Sequence, residues 1–336
     1  MTELVIKKPN DLHVHLRQGD EMEGYALRSA EHFEHMLVMP NIKPPVASAK
    51  ALAEYRRKIQ DILKRHKSDC KLLMSFKLIP GMGSDTVREC LRAGAVCAKY
   101  YPAGSTTNAD DGPRHPSEIA EELSELEQAG FVLSVHAEAP DSPEFSKERD
   151  FLSVIEYILT RYPNLRIVVE HLSSADAVQA ILDWPERVGA SITAHHLAYT
   201  VEDLVSDGLD SSLYCKPVLK TQKDREALIA AAISGNAKFF FGSDSAPHPA
   251  AKKLCLPVPA GTYTAPVRLS LLAEVFEEAK ALNRLEFFAS TAGALWYNLP
   301  ASPQAIKLVK EPWRVPETLD GTIPCAHGKF INWQAQ

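Results

Sequence analysis

At 336 residues, 45% hydrophobic and 24% charged, the chain has the composition of a globular protein that buries a sizeable core, which excludes disorder. Its formal charge of -6, with no Lys/Arg cluster standing out from the acidic residues, excludes a general attraction to phosphate backbones, so nucleic acid is not an expected partner. Residues 1–9 hold only a short apolar run and no later segment is long enough to cross a bilayer, which predicts a cytoplasmic protein that does not enter membranes.

Short apolar runs predict strands over 11–16, 35–39, 72–78, 96–101, 132–136, 167–171, 191–195 and 239–242. Between them, amphipathic or charged stretches predict helices over 48–66, 85–93, 116–129, 145–161, 175–182 and 223–234, with Ser84 and Ser174 as N-caps of two of them. This repeated strand-helix order, with no Gly-rich phosphate loop after the first strand, favours a closed TIM-type (β/α)8 barrel over an open doubly wound sheet. The length suits one such barrel, so 1–336 reads as a single domain, with two long loops at 103–113 and 245–266. The tail after Trp296 has little periodicity and is expected to pack on the barrel without forming a second domain. The six cysteines, Cys70, Cys90, Cys97, Cys215, Cys255 and Cys325, are too scattered for a zinc knuckle or redox pair and are expected to be free thiols, with Cys97 in the core.

Active groups of a parallel barrel gather at the C-terminal ends of its strands. The polar residues there are His13 and His15 on the first strand, Asn41 after the second, Lys99 on the fourth, His136 on the fifth, His171 on the sixth and Asp244 after the eighth. Residues two apart on a strand point the same way, about 7 Å apart, so His13 and His15 can reach one cation. A His-x-His pair alone is a weak signal, and any one of these histidines could be an ordinary buried imidazole; their joint placement at strand ends carries the reading. Four imidazoles and a carboxylate suit zinc, and also iron or manganese. Lys99, flanked by Val96, Cys97, Ala98, Tyr100 and Tyr101, is expected to be buried. Burial and nearby cations lower an ammonium pKa, so a neutral Lys99 amine could add carbon dioxide and become a carbamate.

DLHVHLR at 11–17, MPN at 39–41, KYYP at 99–102, VH at 135–136, EHL at 170–172 and GSDSAPH at 242–248 closely resemble the dihydroorotases of the amidohydrolase superfamily, especially the shorter, stand-alone bacterial type. The likeness follows most of the chain in order, and the DSAPH element is its most specific part. It implies a metal-dependent hydrolase that interconverts N-carbamoyl-L-aspartate and L-dihydroorotate in pyrimidine biosynthesis, working as a homodimer. It also implies two zinc ions, one on His13, His15 and Asp244 and one on His136 and His171, bridged by carboxylated Lys99 and a hydroxide. Asp244 would be the general acid and base, and Arg17, Asn41 and His248 would hold the substrate α-carboxylate. Ala260 and Lys216 would supply backbone contacts, and Thr106 and Thr107, in GSTTN at 104–108, would belong to a mobile loop that closes over the substrate.

A hydantoinase or allantoinase would use the same metals, but the trio Arg17, Asn41 and His248 argues against it. A metal-free scaffold would be expected to have lost ligands, and here every expected position is filled. His195 and His196 look like ligands at the end of the seventh strand but fall outside the implied set; a supporting role is expected for them. His32, His35, His66, His115 and His327 carry no expected role.

Overall fold

The computed structural model describes residues 2–206 and 208–336. Its strands are β1 (Glu3–Lys7), β2 (Asn10–Val14), β3 (His35–Val38), β4 (Lys71–Lys77), β5 (Ala95–Tyr100), β6 (Val132–Val135), β7 (Arg166–Val169), β8 (Val188–Ile192), β9 (Phe239–Phe241), β10 (Ala305–Arg314) and β11 (Phe330–Ala335). Strands β2 to β9 pair in chain order, every pair parallel, and are linked by helices such as Ala49–Arg65, Gly83–Arg92, Lys147–Arg161, Ala175–Asp183 and Gln222–Ile233. This is the expected barrel, and all eight predicted strands are present with ends shifted by a few residues.

Closure joins β2 to the segment just after β9: the Asp244 N–H donates to His13 O (2.9 Å) and the His15 N–H donates to Ser245 O (2.9 Å). Inside, Leu12, Leu37, Cys97, Val132, Val168 and Phe240, each from a different strand, pack together with Trp296 at their base. The interior is therefore filled with side chains rather than hollow. Helices shield the outer faces, so the strands are apolar on both sides, as their near-continuous hydrophobic runs require.

Three local expectations need correction. The helix predicted from Asp85 starts at Gly83, and Ser84 does not cap it. Its free N–H groups at Gly83 and Ser84 are taken instead by Glu122 (2.9 Å) and Glu121 (3.0 Å) of the neighbouring helix Ala120–Ala129. Ser174 does act as a cap, accepting from the Ala177 N–H at 3.2 Å. The strand expected over 191–195 ends at Ile192, because Thr193 accepts from the His196 N–H (3.1 Å) and starts a short helix, Ala194–Ala198, that carries His195 and His196.

The tail is not irregular. Strand β10 pairs antiparallel with both β1 and β11, giving a second, three-stranded sheet that unites the two ends of the described chain. Pro312 breaks the alternation that would have revealed β10, and the register shifts between Lys310 and Trp313, where an irregular ladder accommodates a proline. Trp333 of β11 is fully buried, and its indole N–H donates to Glu277 (3.1 Å) on the helix Arg268–Glu278.

Candidate active site

The barrel seam brings the first group of candidate ligands together. Nε2 of His15 and Nε2 of His13 lie 3.1 and 3.4 Å from Asp244 Oδ1, and the donor atoms of all three residues fall within 4.8 Å of one another. Asp11 holds the seam from behind: its Oδ1 accepts from the Ser243 N–H (2.8 Å), while Oδ2 lies 3.3 Å from Nε of the buried Arg268. Gly242 makes the approach possible, since a Cβ there would sit 3.0 Å from His13 Cβ and 3.1 Å from Ser191 Cβ. Asp244 (φ 43°), His171 (φ 44°) and Arg17 (φ 58°) all adopt left-handed backbone, uncommon for residues with a side chain and typical of places where geometry is imposed for a purpose.

Across the floor, Nδ1 of His136 faces Nε2 of His171 at 3.1 Å. His136 Nε2 lies 2.7 Å from Glu138 Oε2, so it carries the proton and leaves Nδ1 with a lone pair. Burial pushes the imidazoles of His136 and His171 below their ordinary pKa and that of His15 down to about 4, so all three are neutral near pH 7. Lys99 is fully buried on β5, and its Nζ has no hydrogen-bond partner among the described residues; burial lowers its pKa. His13 Nε2 and His171 Nδ1 are likewise buried and make no hydrogen bond among the described residues. Buried polar atoms are normally paired, so neutral imidazoles, a carboxylate and an unpartnered amine fit a metal centre better than they fit a plain core.

Two supporting residues were not singled out from the sequence. Glu170 is fully buried, and its carboxylate accepts from His13 Nδ1–H (2.8 Å), Ser134 Oγ–H (2.5 Å) and Ser191 Oγ–H (2.5 Å). Burial alone would raise this carboxyl, but His13, Lys99 and the hydrogen bonds outweigh it and hold it at about 2. Fixing the proton on His13 Nδ1 leaves Nε2 free on the side of Asp244. Glu138 plays the matching part for His136. The available signal was a glutamate inside each apolar stretch, directly before His171 or two residues after His136.

A narrow cleft opens above this floor, and His13, His15, His136, His171 and Asp244 line it with Arg17, Asn41, Tyr101, Thr106, Thr107, Lys216, Ala246, Ala260 and Gly261. Arg17 is clamped by Nε–H to Pro247 O (2.9 Å) and Nη2–H to Ala246 O (3.0 Å), and neither bond uses Nη1. His248 Nε2 stands 3.0 Å from both Arg17 Nη2 and Ala260 O, so its tautomer decides which one it serves. The loop bearing Thr106 and Thr107 lies down on Asn41: Asn41 Nδ2–H donates to Thr107 O (3.3 Å) and Asn108 Nδ2–H to Asn41 O (2.9 Å). Lys77, fully buried, ties the same loop through Asn108 O (2.7 Å) and Asp111. Lys216 Nζ sits 3.7 Å from Glu144 on the cleft's edge.

His195 and His196 stand apart from this floor in a second cluster with Cys215. Both ring nitrogens of His196 are engaged, by Thr193 Oγ1 (2.8 Å) and Pro217 O (3.1 Å), so it acts as a structural tie between two loops. All six cysteines are free and Cys97 is in the core. No helix among the described residues is long and apolar enough to cross a membrane.

Comparison with known proteins found no matching family model. Among curated relatives, a dihydroorotase of Teredinibacter turnerae is 38% identical over 340 residues, covering 99% of this chain and 98% of that protein. One of Shewanella amazonensis is 39% identical over 345 residues, covering both chains completely. Among solved structures, the dihydroorotase of Saccharomyces cerevisiae in complex with 5-fluoroorotic acid superposes with a TM-score of 0.92 at 31% identity, over 100% of this chain and 99% of that one. The Campylobacter jejuni dihydroorotase gives 0.91 at 30%, over 99% and 97%. The L-hydantoinase of Arthrobacter aurescens, at 17% identity and a TM-score of 0.79 over 98% and 82%, shares the fold.

Proposed function

Because this chain belongs to the dihydroorotase family, with relatives 38% and 39% identical along essentially its whole length, we propose that it opens and closes the ring of L-dihydroorotate. The products of opening and the substrate of closing are the same molecule, N-carbamoyl-L-aspartate, and closure is the direction that serves pyrimidine biosynthesis. The observation that carries this reading is the pairing of two buried donor groups, His13–His15–Asp244 and His136–His171, on the floor of a small cleft with a guanidinium at its rim.

In this reading His13, His15 and Asp244 would hold one zinc ion, His136 and His171 would hold a second, and Lys99, carboxylated at its Nζ, would add its carboxylate to the ligand set. When bound, such a pair would polarise the ring amide carbonyl and make a water available as hydroxide near neutral pH. Asp244 accepts the proton of the attacking water at its carboxylate and returns it to the leaving ring nitrogen, so one group is base and then acid. Arg17, with Asn41 and His248 beside it, binds the α-carboxylate, which fixes the ring's orientation above the floor. Backbone groups of Lys216 and Ala260 hold the ring edge, and Thr106 and Thr107 close the cleft against water.

Dihydroorotate hydrolysis by the purified protein, measured before and after chelation and again after zinc is restored, tests the proposal. Turnover that is lost with the metal and regained with zinc supports it; chelator-insensitive turnover, or hydantoin consumed in preference to dihydroorotate, overturns it. Residues 1–336 are read as one catalytic domain that acts as a cytoplasmic homodimer, which sedimentation and cell fractionation check.

A further inference from the structure

Three tyrosine hydroxyls, those of Tyr100, Tyr101 and Tyr297, are buried without a hydrogen-bond partner among the described residues. Tyr100 packs on Phe151 (6.0 Å between ring centroids) in the outer layer, and Tyr297 on Phe240 (6.1 Å) and Trp296 (6.3 Å) at the base of the barrel. Tyr101 alone of the three lines the cleft. A buried, unpaired hydroxyl costs stability on the order of 1–3 kcal/mol, and phenylalanine would fill the same space without that cost. A retained hydroxyl in a ligand cleft therefore points to a partner that arrives with the ligand.

Its surroundings say which part of the ligand. Tyr101 follows β5 two residues after Lys99, so strand alternation turns both side chains to the interior. The Lys99 Nζ is 5.1 Å from its ring centroid, and the His136 ring lies 6.1 Å away, tilted by 37°. The ring thus packs on the floor beside Lys99 and His136, with its buried hydroxyl inside the same cleft that Arg17 and Asn41 line. Resting on the reaction assigned above, we propose that Tyr101 is a further catalytic residue whose hydroxyl donates a hydrogen bond to the ring carbonyl oxygen as the attacked carbon becomes tetrahedral. The phenol, with an ordinary pKa of about 10, keeps its proton throughout. It is a neutral donor aimed at charge that develops only during reaction, so its effect belongs in kcat rather than in KM.

Tyr101→Phe, prepared with its metals, tests this by kcat, KM, metal content and thermal midpoint, with the wild type assayed first on dihydroorotate. The expected result is a fall in kcat of about 10²–10³-fold, with KM within about threefold, full metal content and a midpoint equal to or above that of the wild type. A kcat within about threefold of wild type overturns the proposal. So does a kcat loss accompanied by metal loss, which would assign the hydroxyl to the ligand sphere of Lys99, or a rise in KM alone, which would assign it to ground-state binding. A wild type that leaves dihydroorotate untouched overturns the assigned reaction itself, and the role of Tyr101 in it.

Discussion

Glu170→Gln isolates the electrostatic part of metal-site support. Oε2 of Glu170 serves His13 and Ser191 while Oε1 serves Ser134, so a glutamine can place its amide oxygen at the Oε2 position and keep both of those bonds. Its NH₂ then meets Ser134, whose hydroxyl can turn to accept. What disappears is the charge: a charge-assisted hydrogen bond contributes about 1.5–3 kcal/mol and a neutral one about 0.5–1.5, leaving a loss of about 1–1.5 kcal/mol at His13. Metal affinity should fall about tenfold. Glu170→Ala removes the acceptor altogether, leaves His13 Nδ1–H buried and unpaired and frees the ring to turn, so about 100-fold is expected. Zinc competition against a chromophoric chelator measures both on metal-free protein. Wild-type affinity in both variants would refute the idea that Glu170 fixes His13, and equal losses would refute the separation of charge from geometry.

Asp244→Asn should lower kcat by about 10²–10⁴-fold, the range for loss of a proton-transfer group, and near-native turnover would remove Asp244 from that role. Arg17→Ala should raise KM about 10²-fold with a smaller change in kcat, since in the proposed function the guanidinium would hold a carboxylate that does not react; an unchanged substrate response would place Arg17 outside the binding site. Burial pushes the Glu148 carboxyl up to about 6, so the native state holds that proton more tightly than the unfolded chain. Its contribution is complete below the ordinary 4.5 and is lost as pH rises through 6, a difference of about 2 kcal/mol. Urea unfolding should therefore show the stability advantage of wild type over Glu148→Gln shrinking by about 2 kcal/mol between roughly pH 4.5 and 7.5, and a flat difference would contradict the shift.

Most of the barrel strands were readable from sequence because they are buried on both faces and so carry short apolar runs, as in Phe239–Phe241 and Val132–Val135, while β2 interleaves its apolar residues with Asp11 and His13. The residues at their C-terminal ends then followed from the architecture, and family likeness sorted them into ligands and substrate contacts. Chemistry that depends on local backbone was not readable. Simple alternation sends Glu170 and His171 to opposite faces, yet the left-handed turn at His171 lets Glu170 brace His13 while His171 faces His136. Which nitrogen of His136 is free depends on Glu138, a neighbour whose side chain has no periodic signature. His195 and His196 read as strand residues because the Thr193 cap that turns the chain into a helix lies within the same apolar stretch. β10 was hidden by Pro312, and β1, whose three apolar residues are flanked by Glu3 and Lys7, read as no more than an apolar start.

The seam between His13 and Asp244 also orders events in time. During synthesis His13 and His15 leave the ribosome long before Asp244 has been made, and the three meet only when the last barrel strand docks beside the first. A cation gripped by all three therefore cannot serve as a seed around which the nascent chain condenses. Under the proposed function it would arrive as a clasp on a finished ring, and its departure would be felt first as a loosening where the circle was closed.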